Sequence, residues 1–111
     1  MEYASKVADE LDPAELAAVF GALSNPARLA IMRWLKDPND FPPQLEPAED
    51  VGVCLKHIRS RAGVSQSTAS QYMAVLQRAQ LVTSTKIGPW VHYKRNDEFL
   101  DRLAETIKSD L

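Results

Sequence analysis

From Ser65 to Gln71 the chain reads Ser-Gln-Ser-Thr-Ala-Ser-Gln. Six of these seven side chains can donate or accept a hydrogen bond, and none is charged. A glutamine amide carries a donor beside an acceptor, the pair that matches N6 and N7 of adenine. Short hydroxyls reach base edges or phosphate oxygens. The cations stand elsewhere. Between Val51 and Asn96 there is no Asp or Glu, while Lys56, Arg59, Arg61, Arg78, Lys86, Lys94 and Arg95 bring seven positive charges. The remaining six basic and fifteen acidic residues sum to −9, so the net charge of −2 conceals a strong segregation. A window of 46 residues without a carboxylate, in a chain where 15 of 111 residues are acidic, is the electrostatic footprint of a surface that approaches phosphate. The competing explanation is a basic face that pairs with acidic segments of the same chain.

Catalysis has little to work with. There is no G-x-S-x-G elbow, no Gly-rich phosphate loop and no H-E-x-x-H, and the chain holds only two histidines. No enzymatic activity is expected. The weak candidates for a metal are Cys54 and His57, three residues apart, a spacing that on a helix points both at one ion. Zinc and thiophilic metals need more thiolate or imidazole ligands than this. Cys54 also falls on an apolar stripe, where a buried, inert cysteine is the commoner case. The expectation is no metal and no cofactor. The single cysteine also excludes an internal disulfide.

The elements that must position these residues are legible from punctuation and periodicity. The length fits one domain, residues 1–111, and 45% apolar with 25% charged residues is ordinary for a soluble protein. No run of 18 apolar residues marks a membrane span. The acidic stretch Met1 to Glu10 lacks the apolar core of a secretory signal, so the cytoplasm is the expected location. Asp12-Pro13-Ala14-Glu15 opens a first helix with a capping-box spacing and a staple of Leu11 on Leu16. Leu16, Val19, Phe20 and Leu23 recur along it, and Phe20 and Trp34 read as core by spacing. Asn25-Pro26 opens a second helix whose stripe is Ala27, Ala30, Ile31, Trp34 and Leu35. Four of seven prolines and five acids then fill residues 37–50, which reads as a loop, long enough to be either a spacer or part of a partner or ligand surface.

From about Val53 to Ala62 the positions Cys54, Leu55, Ile58 and Ala62 predict a third helix, ended by Gly63. Ser65 caps a fourth through about Ala79, with Ala69, Met73 and Leu76 inward. Two helices joined by a short Gly-containing turn make a helix-turn-helix, here residues 53–79. Two β-rich runs, Leu81 to Lys86 and Trp90 to Arg95, flank Ile87-Gly88-Pro89 and predict a hairpin over residues 81–95. A last helix carries Phe99, Leu100, Leu103 and Ile107 on one side. The fold class is therefore mainly α with a β-hairpin, in the order α-α-α-α-β-β-α. The helices over about 12–23 and 97–110 carry apolar faces with few internal partners and are expected to pack on a second copy as a symmetric dimer.

This order, with three stretches of sequence, resembles the winged helix-turn-helix repressors of the ArsR/SmtB family. Ala22 to Leu35 (ALSNPARLAIMRWL) resembles the family's second-helix signature. Gly63 to Val82 (GVSQSTASQYMAVLQRAQLV) resembles its turn and recognition helix, and Lys86 to Asn96 (KIGPWVHYKRN) its wing. The match runs from about Leu11 to Ile107. It implies a homodimeric transcriptional repressor that binds double-stranded DNA and leaves its operator when an inducer is sensed. The inducer is unknown from the sequence.

The resemblance also implies that the start of the fourth helix enters the major groove. Ser65, Gln66, Ser67, Thr68, Ser70 and Gln71 stand there, with Ser65 as the cap and Gln66, Ser67, Ser70 and Gln71 as the expected readers. Lys56, Arg59 and Lys86 would hold phosphates without encoding sequence. Arg61, Lys94 and Arg95 are further flanking cations. Two departures stand out: Pro89 replaces the basic residue common at the wing tip, and the family's metal positions lack their second cysteine and their last-helix histidine. The alternative function is a winged helix used as a protein-interaction module without DNA specificity.

Overall fold

Two proline-opened helices begin the described part of the chain, residues 10–111 of a computed structural model. The reading of the segment before Glu10 lies outside the described residues. In α1 (Pro13–Leu23) Asp12 Oδ1 accepts from the Glu15 N–H at 2.8 Å, and Glu15 Oε1 accepts from the Asp12 N–H at 3.1 Å. That is the expected capping box, and Leu11 and Leu16 are buried as its staple. In α2 (Pro26–Leu35) Asn25 caps Arg28. Arg28 then reaches back, its Nε donating to Ala22 O at 2.7 Å and its Nη2 to Gly21 O at 3.3 Å. Both carbonyls belong to α1's last turn, and Gly21 O also accepts from the Ser24 N–H at 3.2 Å, so one side chain closes the corner.

The segment read as a loop over residues 37–50 is not wholly irregular. It holds a 3-10 turn at Pro38–Asp40 and one turn of helix, α3 (Ala48–Val51). Gln44 pins it. Its Nε2 donates to Glu46 O at 2.9 Å and Gly52 O at 2.8 Å, and its Oε1 accepts from the Cys54 N–H at 3.0 Å. Phe41 is buried beneath, and the Arg61 guanidinium lies 4.7 Å from the Trp34 ring centroid and 5.0 Å from that of Phe41.

The expected start of the next helix at Val53 needs correction. Val53–Cys54 form a strand, β1, and the helix α4 runs Leu55–Ala62. The reason is tertiary: Val53 pairs with Tyr93 and Cys54 with His92, which pulls both residues into extended backbone. The sheet is thus three-stranded and antiparallel, in the order β1-β3-β2, with β2 at Val82–Ile87 and β3 at Trp90–Arg95. Ile87 pairs with Trp90, so the hairpin turn is Gly88-Pro89 and Ile87 belongs to the strand. Gly63 adopts φ +67° as the turn requires, and α5 (Gln66–Arg78) follows, capped by Ser65. A last helix, α6, spans Asp97–Asp110.

One buried cluster joins these elements. Val19, Ile31, Val53, Ile58, Met73, Leu76 and Leu81 are its most enclosed members. Phe20 corrects the core reading, since it is 44% exposed. It sits one position past Val19, which turns it off the inward face of α1. Trp34 packs half-buried against the cluster. In α6 Phe99, Leu103 and Thr106 face inward, whereas Ile107 is 41% exposed. Half-buried Leu100 and exposed Ala104 and Ile107, with Leu111 just past the helix end, therefore form a second apolar stripe at spacings of three and four.

Candidate nucleic-acid interface

Burial of Ala69, Met73 and Leu76 fixes the rotation of α5 and so decides what its outer face presents. Gln66, Ser67, Ser70 and Gln71 occupy that outer face and all are exposed. The hydroxyl run divides by role. Ser65 Oγ accepts from the Thr68 N–H at 3.1 Å, donates to Thr68 Oγ1 at 3.0 Å and lies 3.3 Å from Ser67 Oγ. Ser65, Ser67 and half-buried Thr68 thus share a local network. Gln66, Ser70 and Gln71 have no side-chain bond among the described residues, so their donors and acceptors are available to a partner. Tyr72 is half-buried beside them. Farther along α5, Gln77 Nε2 donates to Ser84 Oγ of β2 at 2.9 Å, tying the helix to the hairpin.

The cations divide as well. Lys56 and Arg59 project from α4, Lys86 from β2 and Arg78 from the end of α5, all exposed and none in an ion pair among the described residues. The other three are engaged. Arg61 is held between Trp34 and Phe41, Arg95 Nε pairs with Asp97 at 3.3 Å, and Lys94 Nζ donates to Asp50 O at 3.3 Å. The sequence could not distinguish these groups, because the partners of Arg61 and Lys94 come from α2 and the 37–51 segment. Lys56 has one contact that spacing did not suggest: its Nζ lies 5.3 Å from the ring centroid of Trp90, just after the hairpin turn. Trp90 is 48% exposed, and an aromatic beside a Gly-Pro turn is a signal the sequence carries.

The two metal candidates are not on one helix. Cys54 lies in β1 at the cap position of α4, buried, while His57 is within the helix. Among the described residues no three His, Cys, Asp or Glu side chains are grouped to hold a metal ion. His92 is a buried strand residue with Nδ1 3.4 Å from Thr85 O. His57 has a different character. Its Nε2 is buried without a hydrogen-bond partner, and desolvation, then the adjacent Lys56 ammonium, lower its pKa from the usual 6.5. The unfolded chain therefore takes up this proton first as the pH falls below about 6.5. Folding stability that is full above that value is lost on acidification. The wild-type unfolding midpoint is expected to drop more between pH 7.5 and 5 than that of His57→Gln, a difference that parallel denaturant titrations measure.

Comparison with known proteins follows the same lines. No family model matches the chain. It is 40% identical over 95 residues to an uncharacterized HTH-type transcriptional regulator, YbzH, from Bacillus subtilis, covering 84% of this chain and 95% of that relative. Among solved structures it is similar to an ArsR-like transcriptional regulator from Rhodococcus, with a TM-score of 0.61, 26% identity, and coverage of 86% of this chain and 77% of that one. A homodimeric winged helix-turn-helix DNA-binding domain from Mycobacterium bovis shares the fold at a TM-score of 0.62 and 23% identity, with coverage of 86% and 76%. No helix among the described residues is long and apolar enough to cross a membrane.

Proposed function

Because this chain belongs to the ArsR family of helix-turn-helix transcriptional regulators, we propose that it is a homodimeric, cytoplasmic repressor released from its operator by a signal. The observation that carries this reading is the outer face of α5: free amides and a hydroxyl at Gln66, Ser70 and Gln71, flanked by cations without acid partners. Gln66 reads a base, with Ser67, Ser70 and Gln71 beside it. The Ser65 and Thr68 hydroxyls hold the helix start, whose free N–H groups favour a phosphate oxygen. Lys56, Arg59 and Lys86 set register on the backbone. A twofold dimer spaces two such helices about one DNA turn apart, roughly 34 Å, so the operator is an inverted repeat.

The test is selection of bound DNA from a random pool, followed by affinity measurements across a salt series. Four cations per protomer in the acid-free window (Lys56, Arg59, Arg78 and Lys86) make no ion pair or hydrogen bond among the described residues, and if each neutralises one phosphate the slope of log affinity against log salt is about −3.6 per protomer at about −0.9 per phosphate. Gln66→Ala is expected to lose about 1–3 kcal/mol on the selected site and to relax preference at one base pair. Lys86→Ala is expected to weaken all sequences alike and to shrink the salt slope by about one. Tight binding with no salt dependence and no enriched sequence would overturn the reading in favour of a protein-interaction module.

A further inference from the structure

The 37–51 segment and Trp90 take no part in the reading above, yet they meet. Gln44, Leu45, Cys54, Lys56, Trp90 and His92 line a cleft of about 90 Å³. A neighbouring cleft of about 120 Å³ shares Cys54, Lys56 and Trp90 and adds Leu55, Arg59, Gln66 and Pro89. Sharing three residues, the two clefts adjoin as the two lobes of a groove from the pinned loop, past the indole, to the first residue of α5.

Three features of this groove point to one kind of occupant. Leu45 is 96% exposed and Trp90 48%, so two large apolar side chains bound the same lobe in water. Leu45 has little freedom to retract, because the three hydrogen bonds of Gln44 fix the loop beside it. Apolar surface gathered in a cleft, rather than scattered singly, marks a binding place. Lys56 and Arg59 line the groove, exposed and without a carboxylate partner among the described residues, so an anionic group placed there meets two cations.

Inorganic phosphate or the DNA backbone would leave the apolar walls bare, and a neutral hydrocarbon would gain nothing from the two cations. We propose that the groove binds a small organic acid with a flat apolar body, its ring against Trp90 and Leu45 and its carboxylate toward Lys56 and Arg59. Occupancy then takes Lys56, Arg59 and Gln66 away from DNA, which makes this acid the releasing signal. The regulatory half rests on the DNA-binding reading given above; the binding half does not.

The experiment separates the two. Protein carrying 5-fluorotryptophan is titrated with benzoate, phenylacetate and indole-3-acetate, and with benzyl alcohol and inorganic phosphate at matched ionic strength. The Trp90 fluorine resonance is identified from Trp90→Phe, leaving Trp34 as the internal reference. At least one acid is expected to shift the Trp90 resonance saturably at millimolar concentration or below, at least tenfold more tightly than the alcohol, with no shift from phosphate. Lys56→Met is expected to abolish that preference for acid over alcohol. The same acid is expected to raise the apparent Kd for the selected DNA at least tenfold. No saturable shift with any acid, or equal affinity for acid and alcohol, would overturn the site. A saturable shift with unchanged DNA affinity would overturn its role as the signal. Failure of the unliganded protein to bind any DNA would overturn the DNA reading, while the fluorine titration still decides the groove.

Discussion

Gly52→Ala is expected to lower the unfolding free energy by about 2–5 kcal/mol, combining backbone strain with overpacking. Gly52 has φ +98° and ψ −176°, a region essentially restricted to glycine. A Cβ there would overlap the Tyr93 carbonyl and stand 2.9 Å from Lys94 N. Both obstacles are backbone of β3, so no rotamer change relieves them. The neighbouring bonds are at risk too, since Gly52 O accepts from Gln44 Nε2 and the next residue, Val53, pairs with Tyr93. In a chain of 111 residues the loss corresponds to a fall in Tm of about 10 °C or more. Thermal and denaturant unfolding check it. A variant within 1 kcal/mol of wild type would mean that the close approach of Gly52 to β3 is absent in solution.

Phe20→Asp combined with Ile107→Asp is expected to convert the proposed dimer to a monomer and to reduce operator affinity about 10²–10⁴-fold. The size of that loss follows from turning an intramolecular second contact into an independent one. Both residues are exposed, at 44% and 41%, so charge at these positions does not enter the buried cluster of the chain itself. Around Phe20 the outer face of α1 is made of Ala14, Ala17, Ala18 and Gly21, small side chains that allow close approach of another helix. Just before α1, the Leu11 N–H donates to Thr106 Oγ1 of α6 at 3.4 Å, which joins the chain entering α1 to the last helix. Sedimentation at micromolar concentration and a binding titration measure the two effects. Unchanged association in the double variant would place the contact between copies elsewhere.

How much of this was legible depends on how far each feature reaches along the chain. The Asp12 and Asn25 caps, the left-handed Gly63 and the Ser65 cap are decided within four residues, and local chemistry names them correctly. The inward face of α5 follows from a period of 3.6, and its outer face with it. Strand β1 is different. Two residues carry no period, and what makes them extended is a partner about forty residues later, Tyr93 and His92. Phe20 misled because its spacing is that of a buried residue while its exposure belongs to a face this chain alone does not cover. The candidate site shows the same division. Its amide and hydroxyl donors were visible as a run, whereas the removal of Arg61, Lys94 and Arg95 from the available cations depends on aromatic, carbonyl and carboxylate partners whose placement only the fold reveals.

The two-residue strand has a mechanical consequence. A hairpin joined to its body only at the base would swing as a loose flap. Here β3 is also held on its far side at His92 and Tyr93, and what holds it there is the very backbone that launches α4. The base of the hairpin is thereby anchored on two sides, next to the residue that starts α4. The amide protons of His92 and Tyr93 should accordingly exchange with solvent on the slow timescale of global opening, not on that of a fraying edge.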